Sequence, residues 1–407
     1  MKRSNRSSFK TPTGRSRASA SDKIKNKRPQ GVAEVVNPRG LHEGETRTDA
    51  SRERMQETAI EPGLPIIDAH HHLRDPEGGQ RYLLPELLKD VHAGHNVVAT
   101  VAIEIGAMFR ARGPAEYRAV GETEFLCGAA AMAASGRYGK TQVAAGIVGR
   151  ADLMLGDRLQ LVLEAHIAAG GGRFRGVRML TAWDDAYVPA HWQKADIKLM
   201  PHLLADATFR RGFACLAPNH LSYDAVIFFK QIPELADLAR TFPNTTIIVN
   251  HMAGPTGLGP YVGRTSEVFA HWRKGIRELG ACSNVYIKIG GIRQAGIPIP
   301  GRAFGEQGAY RTMPSSAELA AAWRPYIETC IEAFSIRRCM FESNFPPESI
   351  LVDYVTLWNA FKRASAGCTD EERAFLFCGA AATAYRLPNI VEMMLPAGEQ
   401  VATPAVR

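Results

Sequence analysis

Leu64-Pro65-Ile66-Ile67-Asp68-Ala69-His70-His71-His72 is the stretch that decides the fold. A brief apolar run that ends in three histidines reads as a buried strand. Polar groups massed at the carboxyl end of such a strand lie where a parallel α/β barrel keeps its chemistry. Side chains alternate along an extended strand, so His70 and His72 point to one side and His71 to the other. Two neutral imidazoles from one strand can bind a divalent cation or hold a substrate oxygen. The plain alternative is a polar strand end with solvated histidines, and the rest of the chain weighs against it.

Working outward, eight strand-like runs follow one another from residue 64: 64–68, 97–104, 142–148, 174–179, 222–229, 246–251, 285–289 and 339–342. Helical or loop segments separate them, the alternation expected of parallel βα units. A (β/α)8 TIM barrel over residues 61–390 fits, with long βα loops. Ser315-x-x-Glu318 is a capping box that opens a helix, and Thr369-x-x-Glu372 is another. Pro325 is expected to kink or split the first of these helices. The long loops 105–141, 180–221 (with Trp183 and Trp192), 252–264 and 290–314 are where specificity is expected. Gly257-Leu258-Gly259 lacks a following Lys-Ser/Thr and does not read as a phosphate loop.

Charge separates this barrel from its flank. Residues 1–60 carry 14 Lys/Arg and 7 Asp/Glu, whereas the whole chain is +8, so the rest is close to neutral. Residues 1–28 have few large apolar side chains and cannot offset their ordering entropy, so 1–60 is expected to be a disordered basic extension. Residues 391–407 are expected to be a flexible C-terminal tail. The basic segment has no apolar core of a secretory signal. Its Arg/Ser-rich, acid-poor composition leaves organelle targeting open, and Lys23–Arg28 also passes for a nuclear-import or nucleic-acid patch. A near-neutral body argues against nucleic acid as the main partner. Seven scattered cysteines without a C-x-x-C pair exclude an all-paired disulfide framework and suit a reducing, cytoplasmic setting. No apolar run is long enough to span a membrane.

If the barrel closes, strand ends converge on one mouth. They supply His70 and His72, Glu104, Arg178, His251, and Glu342 with Asn344. Arg178 offers a fork for a carboxylate, which favours an acidic or carbonyl-bearing substrate; the alternative is an ion pair with Glu104 or Asp184. A desolvated Glu342 can act as a base, whereas Asn344 cannot.

Asp68-Ala69-His70-His71-His72-Leu73, Gly176-Val177-Arg178, His251-Met252-Ala253-Gly254-Pro255 and Met340-Phe341-Glu342-Ser343-Asn344-Phe345-Pro346 together resemble the amidohydrolase superfamily. The similarity runs from about residue 65 to 387 and is nearest the amidohydrolase-related (amidohydrolase 2) branch of predicted metal-dependent TIM-barrel hydrolases. That branch includes sugar-acid and pyrone-dicarboxylate lactonases. The resemblance implies hydrolysis of a lactone, ester or amide, with decarboxylases, hydratases and isomerases among other members. His70 and His72 match strand-one metal or substrate ligands, His251 matches the strand-six histidine, and Arg178 sits where lactonases hold a substrate carboxylate.

Two departures matter. The usual strand-five histidine is absent from Ile227-Phe228-Phe229-Lys230-Gln231, and Asn344 replaces the usual strand-eight aspartate. Both argue against a two-metal site and leave one Zn²⁺ on His70, His72 and His251, or a metal-free site.

The expected activity is a hydrolase opening a small lactone or carboxylate ester by water attack. His70, His72 and His251 hold the metal or polarise the carbonyl, and Glu342 or Glu104 moves the proton. Asn344 steadies the oxyanion or water, and Arg178 and Trp183 contact substrate. The alternatives are a lyase, either decarboxylase or hydratase, on the same barrel, and a barrel without catalysis that binds a ligand. The expected partner is a small molecule bearing a carboxylate or carbonyl, with homo-oligomerisation left open.

Overall fold

The computed structural model describes residues 57–187, 189, 199–300, 302, 313–387 and 390. Their eight strands are β1 Pro65–His71, β2 Asn96–Ile103, β3 Gln142–Arg150, β4 Phe174–Leu180, β5 Ser222–Val226, β6 Ile247–Val249, β7 Val285–Ile289 and β8 Cys339–Phe341. Neighbours pair in chain order and in parallel from β1 to β8. Closure comes just past the strands. His71 bridges Phe345 in parallel, while the Asn344 N–H donates to the His70 carbonyl at 2.8 Å and the His72 N–H to the Phe345 carbonyl at 2.8 Å. The chain is a TIM barrel stitched shut at the polar end of β1.

Helices cover the outside: α1 Leu84–Val91, α2 Val120–Ala134, α3 Leu159–Ala169, α4 Ala207–Ala214, α5 Ile232–Thr241, α6 Thr265–Gly280, α7 Ile292–Ala295, α8 Ser316–Phe334, α9 Tyr354–Ala364, α10 Asp370–Ala374 and α11 Ala380–Ala384. Ser315 and Thr369 cap α8 and α10 as capping boxes. Contrary to the expected break, α8 continues through Pro325, because one lost amide donor is tolerated within nineteen packed residues.

Alternation sorts the strand side chains into two cores. Ile66, Val97, Ile147, Val177, Tyr223, Ile247, Ile287 and Phe341 pack under the helices. Ile67, Ala69, Val101, Ile103, Val148, Ile248 and Met340 pack with α11, Tyr385 and Leu387 in the other cluster, which is the barrel interior. A register shift between Asp68 and His71 breaks strict alternation in β1. Such a bulge lets Ala69 and His70 both turn toward the interior.

Strand ends differ from expectation by a few residues. β3 runs on to Arg150, and β5 stops at Val226 because the backbone turns at Phe229–Gln231. Of the expected extension over 1–60, only 57–60 fall among the described residues, and they are tied to the barrel. Asn359 Nδ2 donates to Glu57 Oε2 at 2.9 Å, and buried Lys362 Nζ donates to the Ile60 and Glu61 carbonyls, each at 2.8 Å. Trp192 and the expected tail 391–407 lie outside the described residues. Among the described residues no helix is long and apolar enough to cross a membrane.

Candidate active site

His70 and His72 meet at the end of β1 with their Nε2 atoms 3.2 Å apart. His71 turns the other way, its Nε2 2.9 Å from Thr100 Oγ1. The β6 terminus brings His251 to the same layer, with ring centroids 4.8 Å from His70. His251, Met252, Ala253 and Gly254 all have positive φ, between 53° and 58°. Three non-glycine residues in the left-handed region cost of order 1–2 kcal/mol each, the kind of strain that gathers at functional sites. The turn brings both the backbone N–H (3.1 Å) and Nδ1 (2.7 Å) of His251 onto Glu342 Oε1. Room for this pair is made by Gly290 and Gly291 after β7. A Cβ at 290 would lie 2.3 Å from Glu342 Cγ, and one at 291 would lie 2.1 Å from His251 Nδ1.

The tautomers follow from the hydrogen bonds. His72 Nδ1 is 2.9 Å from the Ile103 carbonyl, which can only accept, so Nδ1 carries the proton and Nε2 a lone pair. His251 Nδ1 faces a carboxylate, so its Nε2 is likewise the basic nitrogen. His70 Nδ1 has two neighbours, Glu342 Oε2 at 2.9 Å and Lys288 Nζ at 3.2 Å. Only the lysine contact has hydrogen-bond alignment, and Glu342 Oε2 is left without a donor. Burial first, then the nearby charges of Lys288, His251, His72 and Arg178, hold the His70 pKa well below its usual value. Burial and Arg178 do the same for His72, so both imidazoles are neutral.

Beneath this layer lies a buried pair absent from the sequence reading. Lys288 Nζ on β7 donates to Asp224 Oδ1 on β5 at 2.7 Å, and both side chains are inaccessible. Asn250 Nδ2 (2.9 Å) and Tyr385 Oη (2.8 Å) also donate to Asp224, which supplies the extra partners a buried ion pair needs. The signal was present: Lys288 interrupts Val285-Tyr286-Ile287-Lys288-Ile289.

Arg178 enters from β4. Its Nε donates to Glu104 Oε1 at 2.7 Å, Nη2 donates to the Glu104 carbonyl, and Nη1 reaches 3.4 Å from His70 Nε2. The ion pair with Glu104, the alternative reading of Arg178, is therefore present. Glu104 also receives Arg150 Nε at 2.8 Å. Burial pushes the Glu104 carboxyl up, but the two guanidinium groups outweigh it and hold the pKa below its usual value. A carboxylate so held grips two arginines and is a poor proton acceptor, unlike the expected proton-moving role.

Asn344 Nδ2 donates to Glu348 Oε1 at 3.2 Å, and its buried Oδ1 has no hydrogen-bond partner. Among the described residues Trp183, on the loop after β4, has no hydrogen bond or ring contact with an imidazole. Its N–H bonds Gln231 Oε1 at 2.7 Å and its indole N–H bonds Asp185 at 2.8 Å. Neighbouring Asp184 accepts from Tyr261 Oη (2.6 Å) and Lys230 Nζ (3.3 Å), fastening three rim loops together.

Comparisons with known proteins show the family and the fold. The amidohydrolase family model matches residues 67–387. The protein y4mH of Sinorhizobium fredii is 31% identical over 345 residues, covering 80% of this chain and 99% of that protein. An L-fucono-1,5-lactonase of Burkholderia multivorans is 26% identical over 253 residues, covering 57% of this chain and 76% of that enzyme. A solved amidohydrolase from Burkholderia multivorans with bound zinc shares the fold, at a TM-score of 0.57 and 23% identity, over 79% of this chain and 99% of that one. A family match over most of the barrel, with the histidines of β1 and β6 meeting in one layer, makes the chain a member of the amidohydrolase family.

Proposed function

We propose that the chain is a hydrolase that opens a small lactone or carboxylate ester. The observation that carries this reading is the Glu342 Oε1–His251 Nδ1 contact of 2.7 Å beside the facing Nε2 atoms of His70 and His72. The similarity to an L-fucono-1,5-lactonase supports the same class of bond.

The donor set fits a divalent ion, on an argument internal to the site. Lys288 Nζ donates to His70 Nδ1, which puts the resting proton on Nε2; an ion held at Nε2 would move that proton to Nδ1, 2.9 Å from the donorless Glu342 Oε2. That tautomer leaves the His70 and His72 Nε2 lone pairs facing each other 3.2 Å apart. Two ligands about 2.1 Å from one tetrahedral Zn²⁺ stand at about that separation. His70 and His72 would hold the ion, and bound there it would supply Lewis-acid polarisation of the substrate carbonyl. The zinc-bearing structural relative supports the choice of metal.

His251, the third imidazole of the expected metal set, is assigned to the proton. Asn344 cannot take one and Glu104 is held by arginines, whereas His251 has a carboxylate behind it, the arrangement that makes an imidazole a general base. His251 Nε2 takes a proton from the attacking water as oxygen bonds to the carbonyl carbon. Asn344 Oδ1, buried without a donor, accepts the water's second hydrogen. Arg178 Nη1, beside His70 Nε2, steadies the oxyanion. On collapse the ring C–O bond breaks, and His251 returns its proton to the leaving alkoxide. Glu342 orients His251 throughout.

The test is acid release from a panel of neutral sugar lactones and carboxylate-bearing lactones. The expected result is one proton per ring opened by the wild type and at least a 10³-fold lower kcat in His251→Gln. Carbon dioxide release from aromatic acids, with no lactone or ester opened, would replace this reading with the lyase.

A further inference from the structure

Arg150 ends β3 two residues after Val148, which belongs to the interior cluster, so its side chain starts from the inward-facing row. It pairs in register with Arg178 on β4. The two guanidinium groups share one carboxylate: Glu104 Oε1 takes Arg178 Nε, and Oε2 takes Arg150 Nε. There the likeness ends. Arg178 spends Nε and Nη2 on Glu104 and has only Nη1, over the imidazoles, left for the reacting centre, and its side chain is 11% exposed, whereas Arg150 is 31% exposed. Among the described residues, neither Nη atom of Arg150 has a hydrogen-bond partner.

The free fork is held in place from several sides. The Phe109 ring lies 5.6 Å from its Cζ. The backbone at Gly106 runs so close that a Cβ there would sit 3.4 Å from Nη2. That backbone is fixed in turn by Glu122, whose carboxyl oxygens accept from the N–H groups of Ile105, Gly106 and Ala107 at 2.8, 3.2 and 3.1 Å. Glu122 is thereby occupied and makes no hydrogen bond to Arg150. Two guanidiniums share Glu104, and burial, with the Glu104 charge, pushes the Glu122 carboxyl up to about 8, so a positive charge stays near pH 7 on a planar, preorganised pair of donors, which is what a carboxylate recognises.

We propose that Arg150, rather than Arg178, is the residue that binds a carboxylate of the substrate, so that the enzyme acts on anionic lactones or esters. The inference rests on the hydrolase reading for the reaction, but binding of the anion does not depend on which bond is broken. The contact chain Arg150–Glu104–Arg178–His70 joins the carboxylate subsite to the imidazoles and fixes the substrate's orientation.

Calorimetric titration tests it with benzoate and its neutral isostere benzamide, on full-length wild type, Arg150→Met and Arg150→Lys. Wild type is expected to prefer benzoate. Arg150→Met should weaken benzoate about 10- to 100-fold, the loss expected for a charge-assisted fork, and leave benzamide within twofold. Arg150→Lys should recover part of the affinity, since charge returns without the fork. Thermal melts and the unchanged benzamide affinity separate this from misfolding. Equal benzoate binding by wild type and Arg150→Met, including no binding by either, overturns the proposal. Arg150-dependent benzoate binding in a protein that opens no lactone would leave the subsite standing and sink only the hydrolase.

Discussion

Replacing Gly291 by alanine should disable the site through a single methyl group. Gly291 has φ +61°, and a Cβ built there lies 2.1 Å from His251 Nδ1, 2.3 Å from its Cγ and 2.6 Å from its Cβ. An ordinary contact is about 3.5 Å, so the imidazole or the backbone must retreat by roughly 1.4 Å. The left-handed conformation costs alanine about 1–2 kcal/mol and overpacking about 1–3 kcal/mol, so the loss of stability should be about 2–5 kcal/mol. A retreat of that size breaks the 2.7 Å contact to Glu342. Misplacement of a reacting group by about 1 Å costs roughly 10²-fold in rate. Urea unfolding gives the first number, and kcat on the best substrate of the lactone panel, measured below the unfolding transition, gives the second. A variant within about 0.5 kcal/mol of wild type and within twofold in kcat would refute the packing argument. Lost stability with full kcat would show that turnover does not need His251 where it stands.

Acid should destabilise the fold between pH 6.5 and 4. Burial pushes His71, His95 and His166 down to about 4, so in that window the unfolded chain binds protons that the folded chain refuses, and stability falls as pH falls. Asp68, Glu122 and Asp90, which burial raises (the first two to about 6 and about 8), act with the opposite sign, but burial holds His70 and His72 down as well, so three groups stand against five; a urea midpoint that stays flat or rises toward pH 4 would contradict this. Lys362→Met leaves the Ile60 and Glu61 carbonyls without their donor and should cost about 2–4 kcal/mol, with faster amide exchange at 57–61 by mass spectrometry; wild-type exchange there would be the contrary result. Asn344→Asp places a second carboxylate against Glu348 Oε1, now 3.2 Å from Nδ2, so it should lower the melting temperature at pH 8 more than at pH 5. An equal effect at both values would mean that the amide's donor is dispensable.

How much of this the sequence reveals depends on the kind of residue. The strands were legible because buried parallel strands are short Val/Ile/Leu runs, and His70, His72, His251 and Glu342 because polar residues ending such runs converge when the barrel closes. Arg150 escaped because the apolar run stops at Val148 while the strand runs on to residue 150, and strand ends are the least certain part of any reading. Lys288 and Asp224 escaped because each looks like an interruption within its own strand and finds its partner two strands away. Gly290 and Gly291 looked like loop punctuation, although the space they leave is filled by Glu342 and His251. The competition of Glu104 and His70 for Arg178 was not legible either, because distance along the chain says nothing about which donors a guanidinium has left.

The direct test of the account is steady-state acid release from the lactone panel by wild-type protein and by Glu342→Gln. The variant keeps the volume of the buried side chain and removes the charge that orients His251. Wild-type ring opening with a loss of at least 10²-fold in kcat in a folded variant is the predicted result. Equal turnover by the two proteins would contradict it.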